Sequence, residues 1–180
     1  MKESQLSSLV RVSDYKGLLQ KVSPKELYAA CPNPFLVGHS ILDTSTSHHK
    51  DKARRTVVVE PDDSQQVKEA ISWIDRVWRI KRTQVVPENR VTLGGVPEND
   101  ITLAGLSISS QHCAFHCPDG KTLLVEDLNS LNGTLIDGEL IPKGERRAIE
   151  DGQILTVGLF QLRYYTPKGF IQFLMKKPNQ

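Results

Sequence analysis

Residues Arg90 to Ile136 read RVTLGGVPENDITLAGLSISSQHCAFHCPDGKTLLVEDLNSLNGTLI. Short apolar or β-branched runs, Arg90–Leu93, Ile101–Leu103, Gln111–Cys117, Lys121–Leu128 and Thr134–Ile136, alternate here with Pro97-Glu98-Asn99-Asp100, Pro118-Asp119-Gly120 and Asn132-Gly133. Each separator has a mechanism. Pro presets φ, Asn and Asp bond their own backbone, and Gly takes positive φ at no steric cost, so these are turns between strands. The texture continues outward on both sides, with Val77–Thr83 upstream and Asp137-Gly138, Gln153–Val157 and Leu159–Tyr165 downstream. Short strands with turns at this spacing predict a mainly β chain built as a sandwich.

The flanks read differently. Ser23-Pro24 followed by Lys-Glu-Leu-Tyr-Ala-Ala predicts a short helix, with Ser at the N-cap and Pro at the first helical position, ending before Pro32. Leu6, Leu9, Val10, Leu18 and Leu19 outline a weaker amphipathic helix broken by Gly17, and Phe35-Leu36-Val37 and Ile41-Leu42 give short strands around Gly38. Asp43 to Arg55 is polar throughout and predicts an exposed, mobile loop, while Thr56–Glu60 is a β-branched run fit for a strand. Asp63 and Gln66 resemble a capping box, and Val67, Ala70, Ile71 and Ile74 form one stripe of a helix. Thr166-Pro167 starts a last helix whose apolar face, Phe170, Ile171 and Leu174, should dock back on the sandwich. The expected division is therefore residues 1–72 as an N-terminal accessory segment, 73–166 as the β module, and 167–180 as a C-terminal helix and tail.

Composition excludes several classes. A chain of 180 residues, 38% hydrophobic and 24% charged, has the make-up of an ordinary globular protein. Its formal net charge of +2 is too balanced to indicate a polyanion binder. Arg79-Ile80-Lys81-Arg82 beside Trp78 reads as the solvated face of an edge strand, so no nucleic acid is expected. No apolar run approaches the ~18 residues of a membrane span, and Met1-Lys2-Glu3 leads into no hydrophobic leader, so neither membrane anchoring nor export is expected and the cytoplasm is the expected location. Three cysteines, Cys31, Cys113 and Cys117, suit a reducing compartment and read as small core hydrophobes. His112, Cys113, His116 and Cys117 have the look of metal ligands, but strand alternation sends the two histidines and the two cysteines to opposite faces, so no metal is expected. Nothing resembles a phosphate-cradling loop opening a helix, a nucleophile elbow, or a nucleophile with an identifiable base, so the chain reads as no enzyme and needs no cofactor.

Taken together, Val-Thr-Leu-Gly-Gly (91 to 95), Glu-Asn-Asp-Ile-Thr-Leu (98 to 103), Ser-Ser-Gln-His (109 to 112), Asp-Leu-Asn-Ser-Leu-Asn-Gly-Thr (127 to 134) and Asp-Gly-Gln-Ile-Leu-Thr-Val-Gly (151 to 158) resemble a forkhead-associated (FHA) domain. Five motifs in order are far more specific than any one of them. The ending Tyr-Tyr-Thr-Pro-Lys-Gly-Phe-Ile-Gln-Phe-Leu (164 to 174), with the N-terminal segment, is also similar to small bacterial proteins made of one FHA domain with extensions at both ends. The resemblance implies a β-sandwich of about eleven strands whose loops at one end hold a phosphothreonine of a protein partner.

Carried over position by position, the resemblance assigns phosphopeptide-binding roles to Ser109 through its hydroxyl, Ser110 through its backbone N–H, and Asn132 toward the main chain of the bound peptide. His112 is implied to buttress the Ser109 loop, with Gly94, Gly133 and Thr134 as further structural support. Two positions depart from the pattern. Gly95 stands where the family has the Arg whose guanidinium fork grips phosphate, and Leu131 stands where many members have a Ser or Thr. At about 1.5–3 kcal/mol per hydrogen bond to a charged group, losing the fork weakens phosphopeptide binding on the order of a hundredfold. Arg90 lies on the same strand but about 16 Å away at its far end, a poor substitute; Arg79, Lys81, Arg82, Lys143 and Arg146 have no position that the sequence fixes. The expected function is a non-catalytic protein–protein interaction module, a signalling adaptor or scaffold with weakened or lost phosphothreonine dependence. Two alternatives stand beside it: a genuine phosphothreonine-binding protein acting with a Ser/Thr kinase, and a structural or oligomeric component in which the 63–74 and C-terminal helices form an interface.

Overall fold

A computed structural model of the chain describes residues 10–42, 71–83, 90–103, 105, 107–117 and 120–176. Among these residues are three helices, α1 (Val12–Leu19), α2 (Pro24–Ala30) and α3 (Pro167–Met175). Eleven strands are also described: β1 (Phe35–Ile41), β2 (Val77–Arg79), β3 (Arg90–Gly94), β4 (Ile101–Thr102), β5 (Cys113–His116), β6 (Leu124–Asp127), β7 (Thr134–Ile136), β8 (Glu139–Leu140), β9 (Arg146–Ala148), β10 (Ile154–Val157) and β11 (Phe160–Tyr165). They form a six-stranded sheet in the order β2-β1-β11-β10-β7-β8 and a five-stranded sheet in the order β4-β3-β5-β6-β9. Pairing is antiparallel throughout except for β3 with β4.

Alternation along the strands assigns the two faces. Leu93 of β3, Cys113 and Phe115 of β5 and Val125 of β6 meet Leu155, Val157 and Leu162 of the opposite sheet in one buried cluster. β1 is buried on both sides: Leu36 enters this inter-sheet core, whereas Phe35 and Val37 point the other way into a second core. Its first four residues, Phe35–Gly38, have no solvent face and read as a continuous apolar run rather than as clean alternation, whereas His39 beyond them is exposed. The second core is closed by Val12 and Tyr15 of α1, Leu27 of α2, Cys31, and Phe170, Ile171 and Leu174 of α3. Phe35 stacks on Phe170 with ring centroids 4.1 Å apart, and Tyr15 meets Phe170 edge-on at 5.1 Å. The expected docking of Phe170, Ile171 and Leu174 is thus onto the outer face of the six-stranded sheet, under α1 and α2.

The helix starts follow the cap chemistry. Glu26 N–H donates to Ser23 Oγ at 3.3 Å while Ser23 N–H donates to Glu26 Oε2 at 2.8 Å, a capping box that also holds the Glu26 carboxyl below its usual range. At α3, Gly169 N–H donates to Thr166 Oγ1, and the Asp151 carboxylate accepts from both Thr166 N–H and its hydroxyl, tying the β9–β10 turn to the helix. Gly169 makes room for this carboxylate, since a Cβ would fall 1.9 Å from Asp151 Oδ1 and displace it.

Several expectations need correction. β2 ends at Arg79 rather than Thr83, and β8 and β9 are strands that no apolar pattern announces, being short, polar and exposed. Ile71 and Ile74 do not form a covered helical stripe: a turn occupies residues 72–75, Asp75 adopts φ 61°, and both isoleucines are exposed. Trp73, between them, packs instead, stacked on Phe160 at 4.4 Å. Cys31 and Cys113 are buried, but Cys117 is exposed and so no core hydrophobe. The 43–55 loop, the strand at 56–60, and Asp63, Gln66, Val67 and Ala70 lie outside the described residues. Among the described residues no helix is long and apolar enough to cross a membrane.

Candidate functional site

Three connections converge at one end of the sandwich: β3–β4 (95–100), β4–β5 (103–112) and β6–β7 (128–133). Their anchor is buried polar chemistry, which costs free energy unless every group is paired. Asp127, 2% exposed at the end of β6, accepts from Ser130 N–H at 3.0 Å, Ser130 Oγ at 2.6 Å and Thr134 Oγ1 at 2.7 Å. Ser130 Oγ in turn accepts from Gly133 N–H at 2.9 Å. This folds residues 127–134 into a compact loop, with Asn129 at φ 62° and Gly133 at φ 79°, left-handed positions that Asn and Gly occupy at least cost.

His112 joins that loop to the next. It is fully buried; Nδ1 accepts from Ser109 N–H at 3.2 Å and Nε2 lies 3.1 Å from the Gly133 carbonyl. An acceptor at Nδ1 and a carbonyl facing Nε2 require the neutral ring with its proton on Nε2. Burial pushes its pKa below the ordinary value, in keeping with that state. The implied buttress of the Ser109 loop is therefore a bridge between two loops.

The remaining residues named from the sequence fall in the same cluster. Ser109 is half-buried and its Oγ accepts from Leu131 N–H at 3.0 Å, leaving its own proton to donate outward. Ser110 is exposed and its carbonyl accepts from Asn99 Nδ2 at 2.6 Å. Asn132 Nδ2 donates to the Ser107 carbonyl at 2.9 Å, so its amide already fastens one loop to another. Thr134 is buried on Asp127. Leu131 is 68% exposed, and Leu140, also exposed, leans over Gly133, its Cδ1 2.7 Å from where a Cβ there would stand.

The two glycines differ. A Cβ on Gly94 would stand 2.1 Å from the Ser110 carbonyl oxygen, so only glycine fits. Gly95 donates its N–H to the Ser109 carbonyl at 2.9 Å, but a Cβ would meet nothing nearer than the Ile108 carbonyl at 3.2 Å. A side chain at 95 is admitted with a small adjustment and would start beside Ser109.

Of the basic residues that the sequence left unplaced, Lys143 reaches this cluster: Nζ donates to Asn129 Oδ1 at 2.5 Å. Arg146 instead pairs with Glu126 at 3.0 Å, and His116 Nε2 lies 2.7 Å from the same carboxylate, on the outer face of the five-stranded sheet. Arg90 stands opposite His116 at the far end of β3, while Leu93 stands opposite Cys113. His112 and His116 thus serve separate structural contacts, and Cys113 lies in the inter-sheet core. No group of His, Cys, Asp and Glu side chains among the described residues could hold a metal ion. Sequence reasoning missed Ser107, Asn99 and Ser130 as organisers of the site. The Asp127-x-x-Ser130 spacing, a side-chain-to-backbone turn signal, was the available clue to the last.

The model of the FHA domain family matches residues 91–158. No curated protein is a match to the chain. Among solved structures, the chain is similar to an FHA domain described in a study of phosphothreonine-dependent FHA interactions, with TM-score 0.42 and 21% identity over 51% of this chain and 84% of that one. It is similar to EmbR from Mycobacterium tuberculosis in complex with a low affinity phosphopeptide, with TM-score 0.43 and 20% identity, covering 51% of this chain and 22% of EmbR. The FHA domain of the CT664 protein from Chlamydia trachomatis gives TM-score 0.43 and 22% identity, over 51% of this chain and 85% of that one.

Proposed function

We propose, taking as premise that residues 91–158 are an FHA domain, that the chain is a non-catalytic protein–protein interaction module, an adaptor or scaffold whose dependence on phosphothreonine is weak or lost. The observation behind this reading is at position 95. A phosphate dianion calls for a guanidinium fork, and Gly95 offers none, although a Cβ there would need only a small shift of the Ile108 carbonyl, 3.2 Å away. The loops are also self-sufficient. Ser109 Oγ, Asn132 Nδ2 and His112 are engaged in loop-to-loop bonds that need no ligand. Exposed Leu131 and Leu140 at the rim supply apolar contact instead of a further hydroxyl.

A second reading rests on Ser109. Its hydroxyl accepts from Leu131 and keeps a proton to give, and Ser110 is exposed next to it. These are two of the elements with which a phosphothreonine would be held, in a partner modified by a Ser/Thr kinase. Fluorescence anisotropy against a degenerate phosphothreonine peptide pool and its unphosphorylated twin, on wild type and Gly95→Arg, decides between the two. The leading reading expects wild type to treat the twins alike and Gly95→Arg to bind the phosphorylated pool at least tenfold tighter than wild type does, from restored charge-assisted bonds. A micromolar preference of wild type for the phosphorylated pool would overturn it in favour of the second.

A further inference from the structure

Among the described residues, one cation at the rim of the site is on a different loop from the one that lacks it. Lys143 lies in the exposed β8–β9 connection, and its ammonium is bonded to Asn129 Oδ1, a neutral carboxamide. The two arginines that follow are compensated within the fold, Arg146 by Glu126 and Arg147 by Glu139, each at 3.0 Å. Asn129, in its left-handed conformation, is exposed and begins the short run that continues through Leu131 and Asn132. Since Leu131 N–H is bonded to Ser109 Oγ at 3.0 Å, the Lys143 ammonium lies within about 15 Å of that hydroxyl even with every intervening link fully extended. An extended peptide advances about 3.3 Å per residue, so a segment crossing Ser109 toward Lys143 comes within reach of it in four or five residues.

From this we infer that Lys143 is a specificity-determining residue of the loop surface, selecting partner segments that carry an acidic side chain within about five residues of the one seated at Ser109. The inference rests on the proposed binding role of these loops and adds the charge class of the partner. A lysine is suited to this as a mobile point charge that tolerates variable geometry. Its bond to a neutral amide fixes its place without neutralising it.

The test uses the full chain and four labelled peptide pools, with a central threonine or phosphothreonine, flanked by either glutamate or glutamine at the neighbouring positions. Wild type is expected to bind glutamate-flanked pools about two- to fivefold more tightly than glutamine-flanked ones, the scale of an exposed ion pair, with the difference shrinking as salt is raised. Lys143→Gln removes that preference and Lys143→Arg keeps it. Asn129→Asp, which sets a carboxylate against the ammonium while leaving Lys143 in place, weakens the preference as well. Persistence of the preference in Lys143→Gln, or its absence from wild type, overturns the inference. Phosphorylated and unphosphorylated twins binding alike, with the glutamate preference lost in Lys143→Gln, removes phosphate recognition while leaving Lys143 in its role. Failure of every pool to bind either wild type or Gly95→Arg overturns both.

Discussion

Replacing Asp127 by alanine tests whether the loop cluster is held by buried polar bonding rather than by apolar packing. The carboxylate is 2% exposed and accepts three hydrogen bonds, from Ser130 N–H, Ser130 Oγ and Thr134 Oγ1, the last on a residue with no exposure of its own. Alanine strands these donors where water does not reach. Each stranded neutral donor costs about 1–3 kcal/mol, offset in part because a buried charge no longer has to be desolvated and because hydroxyls can turn to other acceptors. We expect a net loss of about 3 kcal/mol, a large share of the ~5–15 kcal/mol that stabilises a domain of this kind. Asp127→Asn keeps one acceptor oxygen and presents an NH₂ to hydroxyls able to accept, so it should lose only about 1 kcal/mol. Urea unfolding followed by tryptophan fluorescence and circular dichroism measures both, with coincident transitions required before either number is used. The stranding argument has its own signature. Thr134→Val destabilises wild type but costs at least 1 kcal/mol less in the Asp127→Ala background, because the donor it removes is already unpaired. Additive effects in that cycle, or an Asp127→Ala variant within about 0.5 kcal/mol of wild type, would refute the reasoning.

Acid should loosen the site. His112, and with it His39 and His116, has a folded pKa pushed below the ordinary histidine value, chiefly by burial. Below that ordinary value, near 6.5, the unfolded chain takes up protons that the folded one refuses, so stability is complete above about pH 6.5 and falls as the pH drops through and below it, by up to about 1.4 kcal/mol per unit for each such histidine. Urea titrations between pH 7.5 and 5 should show this slope, reduced by up to one proton in His112→Gln; an unchanged slope would remove His112 from the account. In the second core, Phe170→Ala removes a 1% exposed ring stacked on Phe35 and should cost about 3–5 kcal/mol. Hydrogen exchange should then speed up in α1 and α2 more than in β5, and equal acceleration everywhere would mean that the two cores do not respond separately.

What the sequence made legible follows the range of the physics. The starts of α2 and α3 were readable because a cap is settled within four residues, by Ser23 with Glu26 and Thr166 with Gly169. The strands with large apolar residues were readable from turns and alternation, and the eleven strands among the described residues agree with the expectation. β8 and β9 were not, because Glu139–Leu140 and Arg146–Ala148 are strands only by virtue of partners that supply their hydrogen bonds. Nor was the place of Phe35–Ile41 in the sheet, since its partners begin some forty residues away and continue to Tyr165, and no local pattern encodes such pairing. In the loop cluster, Ser109, His112, Asn132 and Gly133 were singled out by motif. The direction of their bonds toward one another was not, and the Asn99 amide, which donates to the Val96 and Ser110 carbonyls, and the Ser107 carbonyl, which accepts from Asn132, meet backbone partners that residue type does not name.

The doubly buried strand β1 has a consequence for how the protein can be divided. The stretch that the family model covers, residues 91–158, contains β3 to β10 but neither β1, β2 nor β11, three of the six strands of one sheet. Excised at those limits, it would present β10 as a raw edge and uncover Leu155 and Val157, a template for pairing with other copies. The sheet that carries β10 and β7 therefore depends for its closure on a strand laid down from the far side of the chain and packed there under Tyr15 and Phe170. The smallest piece fit for expression, grafting or crystallography has to run from before Val12 to beyond Leu174.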